Sequence, residues 1–185
     1  YWDTSKEKTK SQFELFSKFD KFDKRDYIIL AKYCKKIKID FLSTPFDLES
    51  VTFLKNLVPA YKVSSSDITN YPLLKKISRT RKPVIISTGA SNLNEIKNAI
   101  KILKTGTNKI IIMHCILNYP TSDHDANLNM ITSLKKKFPN YVLGYSDHTR
   151  PNSDMINVTT AFILGAKVLE KHFTHNKKLR GNDHY

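Results

Sequence analysis

Ile110-Ile111-Ile112-Met113-His114 is the stretch whose reading decides the fold. Four successive apolar residues, three of them β-branched, end on an imidazole. A strand with one wet face alternates apolar and polar residues, whereas a strand apolar at every position is covered on both faces, as parallel strands are. Outward from this stretch, similar runs recur near 39 to 43 (Ile39, Phe41, Leu42), 60 to 64 (Tyr61, Val63), 83 to 87 (Val84, Ile85, Ile86), 109 to 114, 141 to 145 (Tyr141, Val142, Leu143) and 166 to 171 (Val168, Leu169). Between them lie helical patterns such as Leu93, Ile96, Ile100 and Leu103, at steps of three and four. Six strand-helix units without a hairpin signal predict an α/β protein with a parallel sheet. Units of about 22 to 30 residues suit a TIM (β/α)8 barrel, which uses eight of them in about 250 residues. Six are present, so the barrel is expected to be incomplete. An open doubly wound sheet uses the same unit and remains the alternative. Ahead of these units, Phe13, Phe16, Phe19 and Phe22 recur every three residues, a spacing for an apolar helix stripe.

With 40% apolar residues the 185-residue chain can bury a core. It opens at Tyr1 and stops just after Gly181-Asn182-Asp183-His184, a polar run resembling the middle of a loop, so an excerpt of a longer protein is expected. Lys and Arg number 31 against 17 Asp and Glu, a net charge of +14, and five of the 31 are Arg. Nucleic-acid-reading surfaces favour the bidentate fork of Arg. The lysines are also spread along expected outer helices, as at Lys75-Lys76, Lys101, Lys104 and Lys135-Lys136-Lys137. A solvated lysine-rich face is preferred over a nucleic-acid patch, and the excess charge can still draw in anionic substrates. Cys34 and Cys115 stand 81 positions apart without metal-type spacing, which points to a reducing, cytoplasmic compartment. No apolar stretch reaches the roughly 18 residues of a membrane span.

A parallel barrel carries its active site at the carboxyl ends of its strands, and polar residues stand at each such end. In order they are Ser43-Thr44; Lys62 with Ser64, Ser65, Ser66 and Asp67; Ser87-Thr88-Gly89; His114; Ser146-Asp147-His148; and Glu170-Lys171-His172. Taken singly, a Ser or Thr is a helix cap and Asp67 or Asp147 a turn residue. Their coincidence at one register raises the functional reading. Alternation along the last strand puts Glu170 and His172 on one face, and His148 shares a face with Ser146. Two imidazoles with open positions suit a divalent metal such as Mn or Zn, although on spacing alone, with no short ligand motif, a pair of hydrogen-bonded structural histidines is the default reading. Lys62, the hydroxyls of Ser65 and Ser87, and the amides around Thr88-Gly89 form a candidate phosphate cradle, with a helix N-terminus following Gly89. Cys115, beside His114, faces the opposite way and reads as a buried structural thiol.

Phe41-Leu42-Ser43-Thr44-Pro45-Phe46, Tyr61-Lys62, Ile86-Ser87-Thr88-Gly89, His114-Cys115 with Tyr119-Pro120-Thr121, Gly144-Tyr145-Ser146-Asp147-His148-Thr149 and Glu170-Lys171-His172-Phe173-Thr174 together resemble the sialic acid synthase family, in order and over essentially the whole chain. The resemblance implies a TIM barrel followed by a small antifreeze-like domain. The six strands would then be the third to the eighth, with the first two strands, the last helix and the antifreeze-like domain lying outside residues 1–185. It implies a homodimer in which that domain reaches the partner's barrel. It also implies that Thr44, Lys62, Ser65 and Ser87 bind the phosphate of phosphoenolpyruvate, that Ser146 holds its carboxylate end, and that His148 and His172 ligate a divalent metal, Mn or Mg. Tyr119 and Asp183 would line the sugar pocket. Asp67 stands where one branch of the family has Glu, and Asp67 and Glu170 are the candidates for moving protons.

The implied reaction joins phosphoenolpyruvate to an N-acylated hexosamine, N-acetylmannosamine or a diacetamido hexose, giving a nine-carbon 2-keto sugar acid and phosphate. The isolated chain is expected to be inactive. Two rivals remain. Lys62 could form a Schiff base in a class I aldolase of the same fold, and the charge alone would allow a non-enzymatic nucleic-acid binder.

Overall fold

The computed structural model describes residues 8–179. Each apolar run marked as a strand, except the first, pairs with its successor. Helices α1 (Gln12–Phe19), α2 (Lys24–Lys36) and α3 (Leu48–Leu54) come first. Strands and helices then alternate as β1 (Tyr61–Val63), α4 (Tyr71–Ser78), β2 (Val84–Ser87), α5 (Leu93–Leu103), β3 (Ile110–His114), α6 (Asn129–Lys137), β4 (Val142–Asp147), α7 (Ile156–Ile163) and β5 (Val168–Lys171). All four strand pairings are parallel, and the sheet order follows the chain, β1-β2-β3-β4-β5. A doubly wound sheet reverses its strand order part-way across, and this sheet does not.

The register separates two faces. Val63, Ile86, Ile112 and Leu143 lie side by side on one of them, and each is 2% exposed or less. Helices cover that face: α5 buries Ile96, Ala99, Ile100 and Leu103, the periodic positions expected from sequence, apart from Leu93, which stays exposed. Each full burial of such a side chain stabilises by about 1.5–3 kcal/mol. The other face carries Lys62, Ser87, Met113, Ser146 and Glu170. Lys62 Nζ on β1 lies 3.3 Å from Glu170 Oε1 on β5. In a flat sheet four steps of about 4.8 Å would hold those strands about 19 Å apart, more than the two side chains can span. The sheet is therefore curled into a half-barrel with that face inside.

The sixth strand expected at 39 to 43 does not form. Residues 39 to 46 add no ladder to β1. Phe41 instead packs edgewise on Tyr27, with ring centroids 6.5 Å apart, while Ile39 and Leu42 are 55% and 45% exposed. Pro45 has no N–H to give, and β1 offers only three residues of edge. The phenylalanine stripe fares similarly. Leu15 in α1 is buried and Phe13, Phe16 and Phe22 are exposed, while the Phe19 side chain lies outside what the structure describes. The lysines at 75, 101, 104 and 135 to 137 are solvated, as expected.

Gly106 ends the turn after α5, where its backbone crosses the carboxyl end of α4. A Cβ there would lie 1.7 Å from the Ser78 carbonyl oxygen. Since that neighbour is backbone, Gly106→Ala is expected to destabilise by at least about 2 kcal/mol in urea unfolding.

His114 ends β3 on the helix side, where its Nε2 lies 2.9 Å from the Ala126 carbonyl and its ring stacks on Tyr145. Burial holds its pKa below the ordinary 6.5, against the opposing effect of the Ala126 bond. As pH falls from about 6.5 toward the folded value, the unfolded chain takes a proton that the native chain lacks, so stability declines. His114→Gln, which retains a donor toward Ala126, should show a smaller loss of urea midpoint between pH 7 and pH 5.

Candidate functional site

A chain of polar contacts crosses the concave face. Lys62 is ion-paired with Glu170, and the Ser146 hydroxyl donates to the same carboxylate oxygen at 2.6 Å. Ser146 Oγ also lies 3.2 Å from His148 Nε2. Strand pairing accounts for the cluster: Ser146 and Glu170 are ladder partners, and alternation turns both inward.

The protonation of His148 follows from its partners. Its Nδ1 lies 2.6 Å from the Ile116 carbonyl, which can only accept, so Nδ1 carries a hydrogen. Burial is the main cause holding its pKa below the ordinary value, with His172 acting in the same direction, so the ring is neutral at pH 7. Nε2 then presents a lone pair. The nearby Ser146 has a single proton, and the shorter contact directs it to Glu170. A lone pair facing another acceptor in a buried place leaves room for a hydrogen-bond donor or a cation. The His172 ring stands 5.4 Å from that of His148, nearly perpendicular to it. Two neighbouring imidazoles, one of them neutral with its tautomer fixed by a carbonyl, fit a borderline divalent metal. Among the described residues no group of three or more His, Cys, Asp or Glu is close enough to hold one.

Tyr119 packs on both imidazoles, 4.1 Å from His148 and 5.7 Å from His172 between ring centroids. The loop carrying it is tied down by the Thr121 N–H, which donates to the His148 carbonyl at 2.8 Å. Beyond these rings opens a cavity of about 440 Å³, to which Arg150, Lys171, Phe173 and Lys177 contribute. Sequence reasoning missed Arg150 and Lys177, which lie in loops without a periodic signal.

The cradle residues gather only in part. Ser65 and Ser87 are buried, and the Ser87 hydroxyl has no hydrogen-bond partner. An orphaned buried hydroxyl asks for a ligand. Cys115 lies among them, 2% exposed, the buried thiol expected from sequence. Burial pushes its pKa up, opposed by the Gly89 amide, the Lys62 charge and the Ser65 hydroxyl, so its surroundings are rich in donors and positive charge. A Cβ on Gly89 would meet Cys115 Sγ at 2.7 Å, which accounts for glycine there. Two expected donors are already engaged. The Thr88 N–H and hydroxyl both donate to the Met113 carbonyl. The helix after Gly89 starts later than expected, and its first amides are bonded by the Asn92 side chain in a capping box with Glu95.

Thr44 stands apart from this cluster, lining a separate cavity of about 1040 Å³ with Phe16, Tyr27, Phe46 and Phe53. Asp67 is held by its own loop, accepting from Asn70 Nδ2 at 3.0 Å and Ser66 Oγ at 3.2 Å. Asp183 lies outside the described residues.

A NeuB family profile matches residues 1–185. The chain belongs to the NeuB family. The N,N'-diacetyllegionaminic acid synthase of Campylobacter jejuni is 43% identical over 182 residues, covering 95% of this chain and 52% of that protein. The N-acetylneuraminate-9-phosphate synthase of Drosophila melanogaster is 36% identical, covering 87% of this chain and 43% of the relative. The crystal structure of the sialic acid synthetase of Leptospira borgpetersenii in complex with citrate superposes with a TM-score of 0.86 at 33% identity, over 98% of this chain and 63% of the other. This NeuB chain thus spans about half the length of the curated relatives it matches. Among the described residues no helix is long and apolar enough to cross a membrane.

The two thiols of the NeuB chain should separate under a thiol reagent at pH 8. Cys34 is partly exposed and should react in the native state, whereas buried Cys115 should react only on unfolding.

Proposed function

We propose that the intact protein condenses phosphoenolpyruvate with an N-acylated hexosamine, adding water and releasing phosphate, to give a nine-carbon 2-keto sugar acid. The observation that carries this reading is the single concave rim on which Lys62, Ser87, Ser146, Glu170 and the two imidazoles gather. Membership of a family whose relatives are named as synthases of sialic and legionaminic acids supports it.

Lys62, Ser65 and the orphaned Ser87 hydroxyl would take the phosphate, and Ser146 the carboxylate end of the same substrate. Carbon 3 of phosphoenolpyruvate attacks the aldehyde carbon of the open-chain sugar, water adds to carbon 2, and the carbon-oxygen bond to phosphate then breaks. A divalent ion such as Mn or Mg, held by His148 and His172, would supply Lewis acidity toward the aldehyde oxygen. Glu170, partly exposed and bonded to Lys62 and Ser146, is placed to take or return a proton on the water side. Asp67 would need to leave its Asn70 contact to share that task. Tyr119 walls the side from which the sugar enters. Holding two substrates and a water in register is the main task of such a rim. In this reading, strands outside this chain close the barrel, since β1 and β5 each have a single ladder partner.

Phosphate release from phosphoenolpyruvate should appear with one or more of a panel of N-acylated hexosamines and fall to background in His148→Ala with the fold intact by circular dichroism. A metal-stripped protein should behave likewise and recover with Mn(II). The aldolase reading makes a different demand: borohydride with pyruvate would trap an adduct on Lys62. Such an adduct, or full turnover in His148→Ala, would overturn the synthase reading.

A further inference from the structure

Each imidazole follows directly on a charged residue, Asp147 before His148 and Lys171 before His172. Asp147 and Lys171 are ladder partners, the last pair joining β4 to β5. Since side chains alternate, they leave the sheet on the opposite face from the histidines, and all four reach the rim of the same cavity. There Lys171 Nζ is 2.7 Å from Asp147 Oδ2, with the aspartate side chain 2% exposed. The same ammonium donates to the Thr149 carbonyl. The other carboxylate oxygen, Oδ1, accepts from the Thr149 N–H at 2.9 Å, the Thr149 hydroxyl at 2.8 Å and the Tyr145 hydroxyl at 3.0 Å. Asn157 Nδ2 on α7 extends the set, donating to Thr149 Oγ1 at 3.1 Å and to Asp123 Oδ1 at 2.6 Å. His148 is thus the middle residue of a three-residue segment whose two flanks are bonded to each other and to the neighbouring strand.

A buried ion pair is a poor source of net stability, because taking two charges out of water offsets most of their attraction, and apolar residues of similar size often serve as well. Geometry is what the pair supplies that apolar residues would not. It fixes the last rung between two strands at the point where both histidines leave the sheet.

We propose that the Asp147–Lys171 pair, extended by Thr149, Asn157 and Asp123, is a positioning device that sets the separation and facing of His148 and His172 for holding a divalent cation. The inference rests on the reading above that these imidazoles are metal ligands.

The test titrates Mn(II) alone into the intact protein, following the electron paramagnetic resonance of the free ion, and records the visible band of bound Co(II). His148→Ala checks the underlying reading and should lose binding. Lys171→Met removes the ammonium at nearly constant length and should weaken Mn(II) binding by about 10- to 100-fold and shift the Co(II) band. Lys171→Arg, which can still pair with Asp147, should restore most of the affinity. Asp147→Asn keeps the shape and an acceptor toward Thr149 while dropping the charge, and it decides the matter alone if Lys171→Met does not fold. A merely structural pair would lower the melting temperature and leave the band of bound Co(II) in place. Parent-like affinity and an unshifted band in the folded variants, with binding lost in His148→Ala, would overturn the positioning role and leave the metal reading standing. Parent-like binding in His148→Ala would overturn the metal reading, and the positioning role with it.

Discussion

The contact between Lys62 and Glu170 is the constraint around which the structure is arranged. It joins the first strand of the sheet to the last, and it can form only if the four intervening steps curl. Curling turns a parallel sheet with equivalent faces into one with an inside and an outside. The outside is filled by helices and takes the apolar residues, Val63, Ile86 and Ile112 among them. Across the inside, residues distant in sequence come within hydrogen-bonding range. A flat sheet with the same residues would leave Lys62, Ser146 and Glu170 on one face but out of reach.

Within that concave face the polar groups share too few protons. Ser146 has one hydrogen and two claimants, Glu170 and His148, and the closer carboxylate takes it. Ser87 has a buried hydroxyl and no partner. Buried polar groups in a finished fold are normally satisfied, and the exceptions call for an explanation. Ser87 and Ser146 lie on the face that the register turns inward, while Asp147, Thr149, Asn157 and Lys171 on the helix side of the strand ends are bonded to one another. The contrast separates what ligands would complete from what the fold completes for itself.

Much of this was legible from residue pattern. Five apolar-rich runs became strands within a residue or two, because strands that pack against helices need apolar residues on that face. The convergence of Lys62, Ser146, His148, Glu170 and His172 followed from alternation and from the rule that parallel strands present their carboxyl ends together. What could not be read from the pattern is of another kind. The run at Ile39 to Ser43 has strand composition but no ladder, since an edge depends on a partner that local sequence does not encode. Thr44 and Asp67 stand next to strand-like segments, yet one lines a separate cavity and the other is engaged with Asn70. Loop geometry, not periodicity, places both. The Ile116 carbonyl, which sets the tautomer of His148, is backbone and leaves no trace in sequence.

Asp147 shows how a functional arrangement can look ordinary in sequence. Among Ser146-Asp147-His148-Thr149 it reads as a turn aspartate beside a histidine. In the folded chain the four residues divide by parity: Ser146 and His148 lie on one side with Ser146 Oγ 3.2 Å from His148 Nε2, while Asp147 and Thr149 lie on the other and bond to each other. Burial works against the charge of Asp147, but Lys171 and the Thr149 bonds outweigh it and hold its carboxyl below the usual range. The neighbouring strand repeats the division, with Glu170 and His172 inward and Lys171 outward. Since the period of a strand is two, a shift of one residue in either strand would exchange the anchoring set for the functional one. The ion pair between the outward residues opposes that shift, since a slipped register would part Lys171 from Asp147.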